Sequence, residues 1–459
     1  MTTTIAESAR DELRFRLRGG LHEPGDAEYA DCCTLFNSMI ERRPRLVARC
    51  AAPDDVIAAL AFARHHGLEI AVRAGGHSVS GRSLCDDGLV LDLRDMRDVG
   101  VDLDRRVARV GGGATWAQVD RATQVHGLAT TGGRVSTTGV GGLTLGGGSG
   151  WLERKHGLAC DNLVAAELVT AEGELVRTSE DENPELLWGL RGGGGNFGVV
   201  TAFELRLHPV GPEVLAGLVL HPAERGGDVL RLFRDVMRDA PEELGLAFAF
   251  ITVPAESDVP EELHGKQGVM VAGMYAGPVD EGEEALQELR GFGPPAADFF
   301  EPTAYADFQC SIDDPPGYRN YWTAENLADL PDDAVDALTA RATQVPPGPS
   351  QLFIVPWGGA VARAGTDSSP LAGREAAFVV HPLMLWEDAA DDERMIDLGR
   401  AYREDVRPYA TGATYLNFLG DEGRDRLRAG YGEHSYERLL ELKSRWDPAN
   451  TFHGNQNLG

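Results

Sequence analysis

The sequence predicts an α+β protein with a long first part, a second part built on its own antiparallel sheet, and a short C-terminal segment. Helices and strands alternate through residues 1–208, where most of the glycine clusters also lie. From residue 209 glycine becomes less frequent, and acidic helical stretches flank apolar strands. Glycine and asparagine return in the last segment, residues 412–459. We therefore expect two domains over 1–208 and 209–411, with the last segment returning to the first domain.

Local patterns justify the elements of the first part. Apolar residues recur at helical spacing in 56-VIAALAFARHH-66, so we predict a helix capped by Asp54 or Asp55 and ended at Gly67. Thr115 is expected to cap a second helix over residues 116–127. The other expected elements are strands: 68-LEIAVRAGG-76, 88-GLVLDL-93, a hairpin over 163–178 that turns at Glu172-Gly173, and a closing strand over 198–209.

The second part combines two kinds of segment. Acidic, helix-like stretches occupy residues 281–292 and 329–342. Apolar strands are expected at 246-LAFAFITV-253, 268-GVMVAGMYAG-277, 351-QLFIVPWGGAVA-362 and 376-AAFVVHPLML-385. An α+β arrangement of this kind places helices against one face of the sheet and leaves the other face free to cover a ligand.

Composition limits the classes of partner. The formal net charge is -29, from 43 basic and 72 acidic residues, and such a surface repels phosphate backbones and anionic lipid. The N-terminal stretch MTTTIAESARDELRFRLRGG is too polar for a signal peptide, so we expect a cytoplasmic protein without a membrane span. The six cysteines form no C-x-x-C pair, so we expect free thiols and no metal site.

Glycine runs are the main clue to a ligand. The runs at 111–113, 146–148 and 192–195 leave backbone bare, which suits chain wrapped around a large ligand, although tight turns in a strand-rich domain would also use them. A G-x-G-x-x-G fingerprint must follow a strand and open a helix, and these runs do not. No Gly-Lys-Ser/Thr occurs, so a P-loop is absent.

The segment 70-IAVRAGGHSVSGRS-83 is the most informative. A strand delivers Arg73, and the glycine turn that follows brings backbone amides together as a nest suited to pyrophosphate. His77 stands beside that turn. Taken by itself, His77 could be a base, a metal ligand, a covalent anchor or a satisfied structural residue.

Five motifs that occur in order along the chain favour a functional role for His77 over a structural one. They are 72-VRAGGHS-78, 137-TTGVGGLTLGGGSGW-151, 156-HGLACDN-162, 188-WGLRGGGGNFGVV-200 and 446-WDPANTFHGNQN-457. Together they resemble the berberine-bridge-enzyme-like FAD-linked oxidases, within the wider vanillyl-alcohol-oxidase type of flavin fold. The resemblance spans nearly the whole chain. It implies a two-part FAD-binding domain and a substrate domain whose sheet covers the flavin.

The resemblance also implies cofactor-binding residues. His77 matches the histidine that bonds covalently to the 8α-methyl of the flavin. The other matching positions lie along the pyrophosphate, along the ring and adenine, and at the C-terminal amides: Arg73, Ala74, Gly75, Gly76, Ser78, Thr137, Thr138, Gly141, Gly142, Gly146, Gly147, Gly148, Asn162, Val200, Asn455 and Asn457.

Two departures from the family pattern matter. Many relatives have a second, cysteinyl bond to the flavin, but the matching position here is Val135, and Cys160 is expected to be a buried structural residue. We therefore expect one tether, through His77. The usual Y-x-N-Y motif is 415-YLNF-418, so Phe418 replaces the tyrosine that acts as substrate base.

The loss of that base favours some substrates over others. An alcohol must lose its O–H proton as hydride leaves carbon, whereas a neutral amine can release hydride directly. We therefore favour amines and N-heterocycles as substrates, and alcohols and sugars stay candidates if another base is present. Candidates for catalysis are Tyr415, Asn417, Tyr318, Tyr321 and His381.

The expected activity is oxidation of a small organic molecule by hydride transfer to FAD, with O₂ as acceptor. Thr138 sits where access of O₂ is often controlled in the family. The alternatives are a dehydrogenase that uses another acceptor, a tailoring oxidase of secondary metabolism, and a flavin-binding protein without catalysis. We expect no nucleic-acid or membrane partner, and a monomer or homodimer.

Overall fold

A small mixed sheet, in which only the first strand is antiparallel to its neighbour, opens the fold. The computed structural model describes residues 5–255, 259–313, 316–454 and 456–459. The first elements are α1 (Glu7–Arg16), β1 (Leu21–His22), α2 (Tyr29–Cys33), β2 (Leu46–Arg49), α3 (Pro53–His66), β3 (Ile70–Arg73) and β4 (Leu89–Asp92). The sheet order is β1-β2-β4-β3, with β2 and β3 parallel to β4. β3 delivers the chain into the glycine turn before His77.

Helix α3 confirms the prediction over this segment, with one correction. Leu60 and Ala63 are fully buried, and Gly67 ends the helix with φ +62. The predicted side-chain cap is wrong, because the helix starts at Pro53 and the N-cap residue is Ala52. Asp55 instead accepts hydrogen bonds from the backbone N–H groups of residues 18, 19 and 51.

A second, antiparallel sheet completes the first part. Its elements are β5 (Val99–Asp102), β6 (Val107–Gly111), α4 (Trp116–Gln124), β7 (Leu128–Ala129), α5 (Val140–Leu145), α6 (Glu153–His156), a 3₁₀ turn (Ala159–Asn162), β8 (Leu163–Val169), β9 (Leu175–Ser179), α7 (Pro184–Leu190), β10 (Val199–Arg206) and β11 (His208–Pro209). The order is β5-β6-β10-β8-β9. The predicted hairpin is confirmed as β8–β9, and Thr115 caps α4 in a reciprocal capping box with Gln118.

The second part forms a larger antiparallel sheet. Its elements are β12 (Glu213–Pro222), α8 (Gly226–Asp239), β13 (Leu244–Thr252), β14 (Gln267–Tyr275), α9 (Val279–Gly291), β15 (Ala297–Asp298), β16 (Glu301–Ala304), α10 (Tyr305–Phe308), β17 (Arg319–Trp322), β18 (Glu325–Leu327), α11 (Asp332–Ala342), β19 (Gln351–Pro356), α12 (Gly359–Arg363), β20 (Phe378–Trp386) and α13 (Asp392–Val406), with 3₁₀ turns at Ala223–Arg225, Glu261–Leu263, Ala389–Asp391 and Arg407–Tyr409. The order is β15-β12-β14-β13-β19-β20-β17.

The two faces of this sheet differ in what they contact. Phe248 and Ile354 pack in a core with residues of α8, α9, α11 and α13. Their neighbours Ala249 and Phe353 point to the opposite face, towards the first part. The strand predicted over 351–362 is too long, because Gly358 and Gly359 take positive φ angles and the chain turns into α12.

The C-terminal segment packs on the first part. A 3₁₀ turn (Leu416–Phe418) precedes α14 (Arg424–Tyr431) and α15 (Glu433–Trp446). Leu439 and Tyr431 share a core with Phe197, and Lys443 donates to the Asn196 carbonyl. On this packing we propose the division into 1–208, 209–411 and 412–459. Of the helices in the described residues, none combines the length and apolarity needed to cross a bilayer.

Candidate active site

A cavity of about 660 Å³ lies between the glycine-rich loops of the first part and the face of the large sheet opposite α8, α9, α11 and α13. Gln351, Phe353 and Val355 of β19 all line it, because alternate residues of a strand share one face. The C-terminal segment closes one side with residues 416–419 and Gln456. The sheet face that was predicted to cover a ligand therefore lines the cavity.

Two glycine loops meet at the cavity with their backbones in contact. A Cβ added to Gly75 would lie 2.3 Å from the Gly139 nitrogen, and a Cβ on Gly139 would lie 2.3 Å from the Gly75 nitrogen. A side chain at either position would therefore separate the loops. Gly76, Gly141 and Gly142 also line the cavity. Bare backbone of this kind suits an extended ligand that carries phosphates.

His77 lines the cavity next to both loops. Its Nε2 lies 3.1 Å from the Thr137 hydroxyl and its Nδ1 lies 3.5 Å from the Thr138 hydroxyl, while its ring stacks on Phe36 with centroids 4.4 Å apart. Burial lowers the pKa of His77 to about 4, against a weaker opposing effect of Asp313. The imidazole is therefore neutral at pH 7 and keeps a nucleophilic lone pair.

His381 faces the cavity from the large sheet. Its Nδ1 lies 2.9 Å from the Thr323 carbonyl, so Nδ1 carries the proton and Nε2 carries the lone pair. Its ring stacks flat on Phe418, with centroids 3.9 Å apart and planes 6° apart. Burial lowers the pKa of His381 to about 4. The Nε2 atom is therefore a hydrogen-bond acceptor at neutral pH.

Charged side chains on the lining have hydrogen-bond or ion-pair partners. Both carboxylate oxygens of Asp313 lie 2.5 Å from Ser136, one from its N–H and one from its hydroxyl. Arg134 donates to Glu153 at 2.8 Å and to the Ser149 hydroxyl at 2.9 Å. Arg82 pairs with Asp421 at 3.2 Å.

Several predicted site residues support the loops from outside the cavity. The Arg73 guanidinium donates to carbonyls at the end of α2, including Thr34 at 2.6 Å, and does not line the cavity. The Tyr415 hydroxyl accepts from the N–H groups of Gly148 at 2.6 Å and Ser149 at 2.9 Å. Burial raises the pKa of Tyr415. Arg73 and Tyr415 therefore hold backbone groups in place.

Other predicted residues also lie away from the cavity. Tyr321 donates to Glu422 at 3.2 Å, on the helix-covered side of the sheet. Asn162 bonds to His208 at 2.7 Å and is buried behind the loops. Asn457 donates to the Gly459 carbonyl. Cys160 is fully buried away from the cavity, and burial raises its pKa.

The structure brings most of the predicted residues together. Those that line the cavity are Ala74, Gly75, Gly76, His77, Ser78, Thr138, Gly141, Gly142, Gly146, Val200, Tyr318, His381 and Asn417. Those that do not are Arg73, Thr137, Gly147, Gly148, Asn162, Tyr321, Tyr415 and Asn457. Asn455 lies outside the described residues. Sequence reasoning missed Phe36, Asp313 and Gln456, and no spacing in the sequence links the first two to His77.

Comparison with known proteins defines the class. The chain matches a family model described as FAD binding domain over residues 44–179, and one described as berberine and berberine like over residues 414–459. The fold and the glycine-lined cavity are thus those of an FAD-binding oxidoreductase.

Individual relatives define the family. An FAD-linked oxidoreductase of Dictyostelium discoideum is 30% identical, over 98% of this chain and 96% of its own length. The (R)-6-hydroxynicotine oxidase of Paenarthrobacter nicotinovorans is 30% identical, over 96% and 97%. The crystal structure of 6-hydroxy-D-nicotine oxidase from Arthrobacter nicotinovorans has a TM-score of 0.87 at 28% identity, covering 96% of this chain and 98% of that one. The chain belongs to the berberine-bridge-enzyme-like FAD-linked oxidoreductases.

Proposed function

We propose that this oxidoreductase holds FAD covalently through His77 and oxidises a small organic molecule, with O₂ as final electron acceptor. The observation that carries the proposal is the placement of His77. It stands on the cavity wall between two glycine loops, and its pKa of about 4 leaves the ring neutral and nucleophilic at pH 7. A histidine of this kind can form an 8α bond.

The cavity fits FAD. Where the Gly75 and Gly139 backbones meet, only glycine leaves room, and the bare loops offer N–H groups to a pyrophosphate. Ala74 to Ser78 and Gly141 to Gly146 would hold the cofactor, while Tyr415 keeps the second loop in place from behind. When bound, FAD supplies the two-electron oxidation, and the protein supplies orientation and electrostatics.

A single tether is proposed. Val135 lines the cavity but has no thiol. Cys160 does have one, yet it is fully buried and does not line the cavity. A cysteinyl bond would require Cys160 to move into the cavity.

The substrate class rests on the relatives and on Phe418. One relative at 30% identity is a 6-hydroxynicotine oxidase, and its name points to amine or N-heterocycle oxidation. Sugar oxidases such as the xylooligosaccharide oxidase of Myceliophthora thermophila are 21% identical and support the fold alone. We propose an amine or N-heterocycle first and an alcohol or sugar second.

Mass spectrometry of the acid-denatured protein tests the tether. Trypsin should release residues 74–82 with one added flavin mass, and residues 156–177 with none. His77→Ala should abolish the added mass, while His126→Ala, at an exposed histidine, should leave it unchanged. Flavin that washes out with acid, or flavin on another peptide, would overturn the tether. Peroxide release in air then separates an oxidase from a dehydrogenase.

A further inference from the structure

The sheet side of the cavity is mostly apolar. Ile251, Met270, Phe353 and Leu383 project from the strands, and Trp322 and Phe418 close the same region. Burying an apolar ring against such a surface is favourable, by roughly 25 cal/mol for each Å² removed from water. We call these six residues the apolar wall.

Three polar side chains beside the apolar wall already have hydrogen-bond partners. The Ser350 hydroxyl donates to the Leu385 carbonyl at 2.8 Å and accepts from the Leu385 N–H at 3.0 Å. The Thr252 hydroxyl accepts from Gly348 at 3.0 Å, and the Asn417 amide donates to Leu143 at 2.9 Å. A sugar buried here would lose water from several hydroxyls, and these three side chains offer it few new hydrogen bonds. Each hydroxyl left without one costs about 1–3 kcal/mol.

A cation meets the same difficulty. Among the lining residues that the structure describes, the charged side chains are Arg82, Arg134 and Asp313. Asp313 is the carboxylate of the three, and Ser136 occupies both of its oxygens. An ammonium ion buried against the apolar wall would lose its hydration, and none of the six residues of that wall carries a counter-charge, which makes its burial costly.

His381 offers a hydrogen-bond acceptor, which the apolar wall lacks. Its Nδ1–H is held by the Thr323 carbonyl, and stacking on Phe418 fixes the plane of the ring. Nε2 is left as an acceptor on the cavity side. Phe418 has lost the hydroxyl that serves as base in relatives, but its ring now orients a different acceptor.

We propose that the substrate is a neutral, mainly apolar ring compound with an O–H or N–H group next to the oxidised carbon, and that His381 Nε2 binds that hydrogen. This inference rests on the proposed function, since it concerns the same cavity. Oxidation would break the O–H or N–H bond with its proton going to Nε2, and the C–H bond with its hydrogen and both electrons leaving as hydride, which bound FAD would accept. A C=O or C=N bond would form, and O₂ would take up the hydrogen and two electrons of that hydride together with the proton to give hydrogen peroxide.

Binding without turnover tests the proposal. Three probes are titrated into the flavin-loaded enzyme at pH 7 by calorimetry: 2-naphthol, its methyl ether, and 2-naphthylmethylammonium. Naphthol has the donor, the ether lacks it, and the third carries a charge. Wild type should bind naphthol at least about tenfold more tightly than the ether, as one hydrogen bond to a buried acceptor is worth about 1.5 kcal/mol. The ammonium should bind more weakly still.

Variants assign the preference to one atom. His381→Phe keeps a ring on Phe418 and removes the acceptor, so naphthol and ether should then bind equally. His381→Gln restores an acceptor oxygen and should restore part of the preference. Tyr321→Phe, which removes a hydroxyl on the other side of the sheet, should leave it unchanged. Flavin absorbance and unfolding midpoint check each variant, and if His381→Phe does not fold, His381→Leu replaces it.

Two outcomes overturn the proposal: a naphthol preference that survives loss of the imidazole, or tight binding of the ammonium by wild type. Flavin mass on residues 74–82 is measured on the same samples. Its absence from wild type removes the proposed function. Its presence together with either outcome above removes this inference alone.

Discussion

Asp120 of the first part and Gln309 of the second part form a buried pair, and one more hydrogen would be needed to satisfy both of its unpaired oxygens. Asp120 lies on α4, where Gln309 from the segment after α10 donates to its Oδ2 at 3.2 Å. The other oxygens, Asp120 Oδ1 and Gln309 Oε1, have no partner among the described residues. Burial raises the pKa of Asp120 to about 7, against a weaker lowering effect of the Gln309 hydrogen bond. A protonated carboxyl would donate to Gln309 and satisfy both oxygens.

Replacing Asp120 by Asn should therefore stabilise the protein at alkaline pH. The folded pKa of about 7 lies above the ordinary value of 3.8. Stability from the protonated form is thus complete below pH 3.8 and is lost as pH rises towards 7. The full cost of ionisation is about 4 kcal/mol, of which about 2.5 kcal/mol falls between pH 5 and pH 8. Asn has no ionisation cost, so the stability gain of Asp120→Asn over wild type should be about 2.5 kcal/mol larger at pH 8 than at pH 5.

Urea unfolding followed by tryptophan fluorescence measures this growth. Wild type, Asp120→Asn and Asp104→Asn are compared at pH 5 and pH 8, where Asp104, an exposed aspartate, controls for loss of one negative charge. The gain of Asp120→Asn over wild type should be larger at pH 8, and Asp104→Asn should show no such trend. An Asp120→Asn advantage that is equal at both pH values, or that shrinks at pH 8, would refute the reasoning.

Three further substitutions test contacts and positions around the site. Tyr415→Phe leaves two loop amides without their acceptor and should cost about 1–3 kcal/mol in urea unfolding, so an unchanged midpoint contradicts the assigned contact. Val135→Cys in a His77→Ala background should return acid-stable flavin to the peptide containing residue 135 by mass spectrometry, and no added mass there argues against that alignment. Glu153→Gln leaves Arg134 buried without its counter-charge and should cost about 3–5 kcal/mol, so a loss below about 1 kcal/mol contradicts a buried pair.

Elements set by neighbouring residues were predictable from the sequence. The capping box of Thr115 and Gln118 and the hairpin at Glu172-Gly173 depend on groups a few residues apart, so the pattern contains all the information. The end of β19 was missed because two consecutive glycines were assigned to a strand. Both take positive φ angles, and Gly359 lies so close to the backbone of Arg154, more than two hundred residues earlier, that a Cβ there would clash.

Site residues were harder to place than the fold. The motifs indicated which segments surround the ligand, and His77 and its glycine turn do line the cavity. A motif does not say which way a long side chain points. Arg73 turns back to the carbonyls that end α2, and Tyr415 turns to the amides of the second loop. Both choices satisfy buried polar groups that only the tertiary structure brings together.

Position 418 shows why a missing catalytic group has to be judged by its neighbours. From the sequence, Phe418 is the loss of a hydroxyl, and the loss alone favours substrates that need no base. In the structure the same ring lies flat on His381, whose Nδ1 is held by the Thr323 carbonyl. A phenylalanine here therefore fixes the orientation of an imidazole acceptor. Since that acceptor is neutral and lies against an apolar wall, the change selects for an uncharged donor on the substrate as well as for a different base.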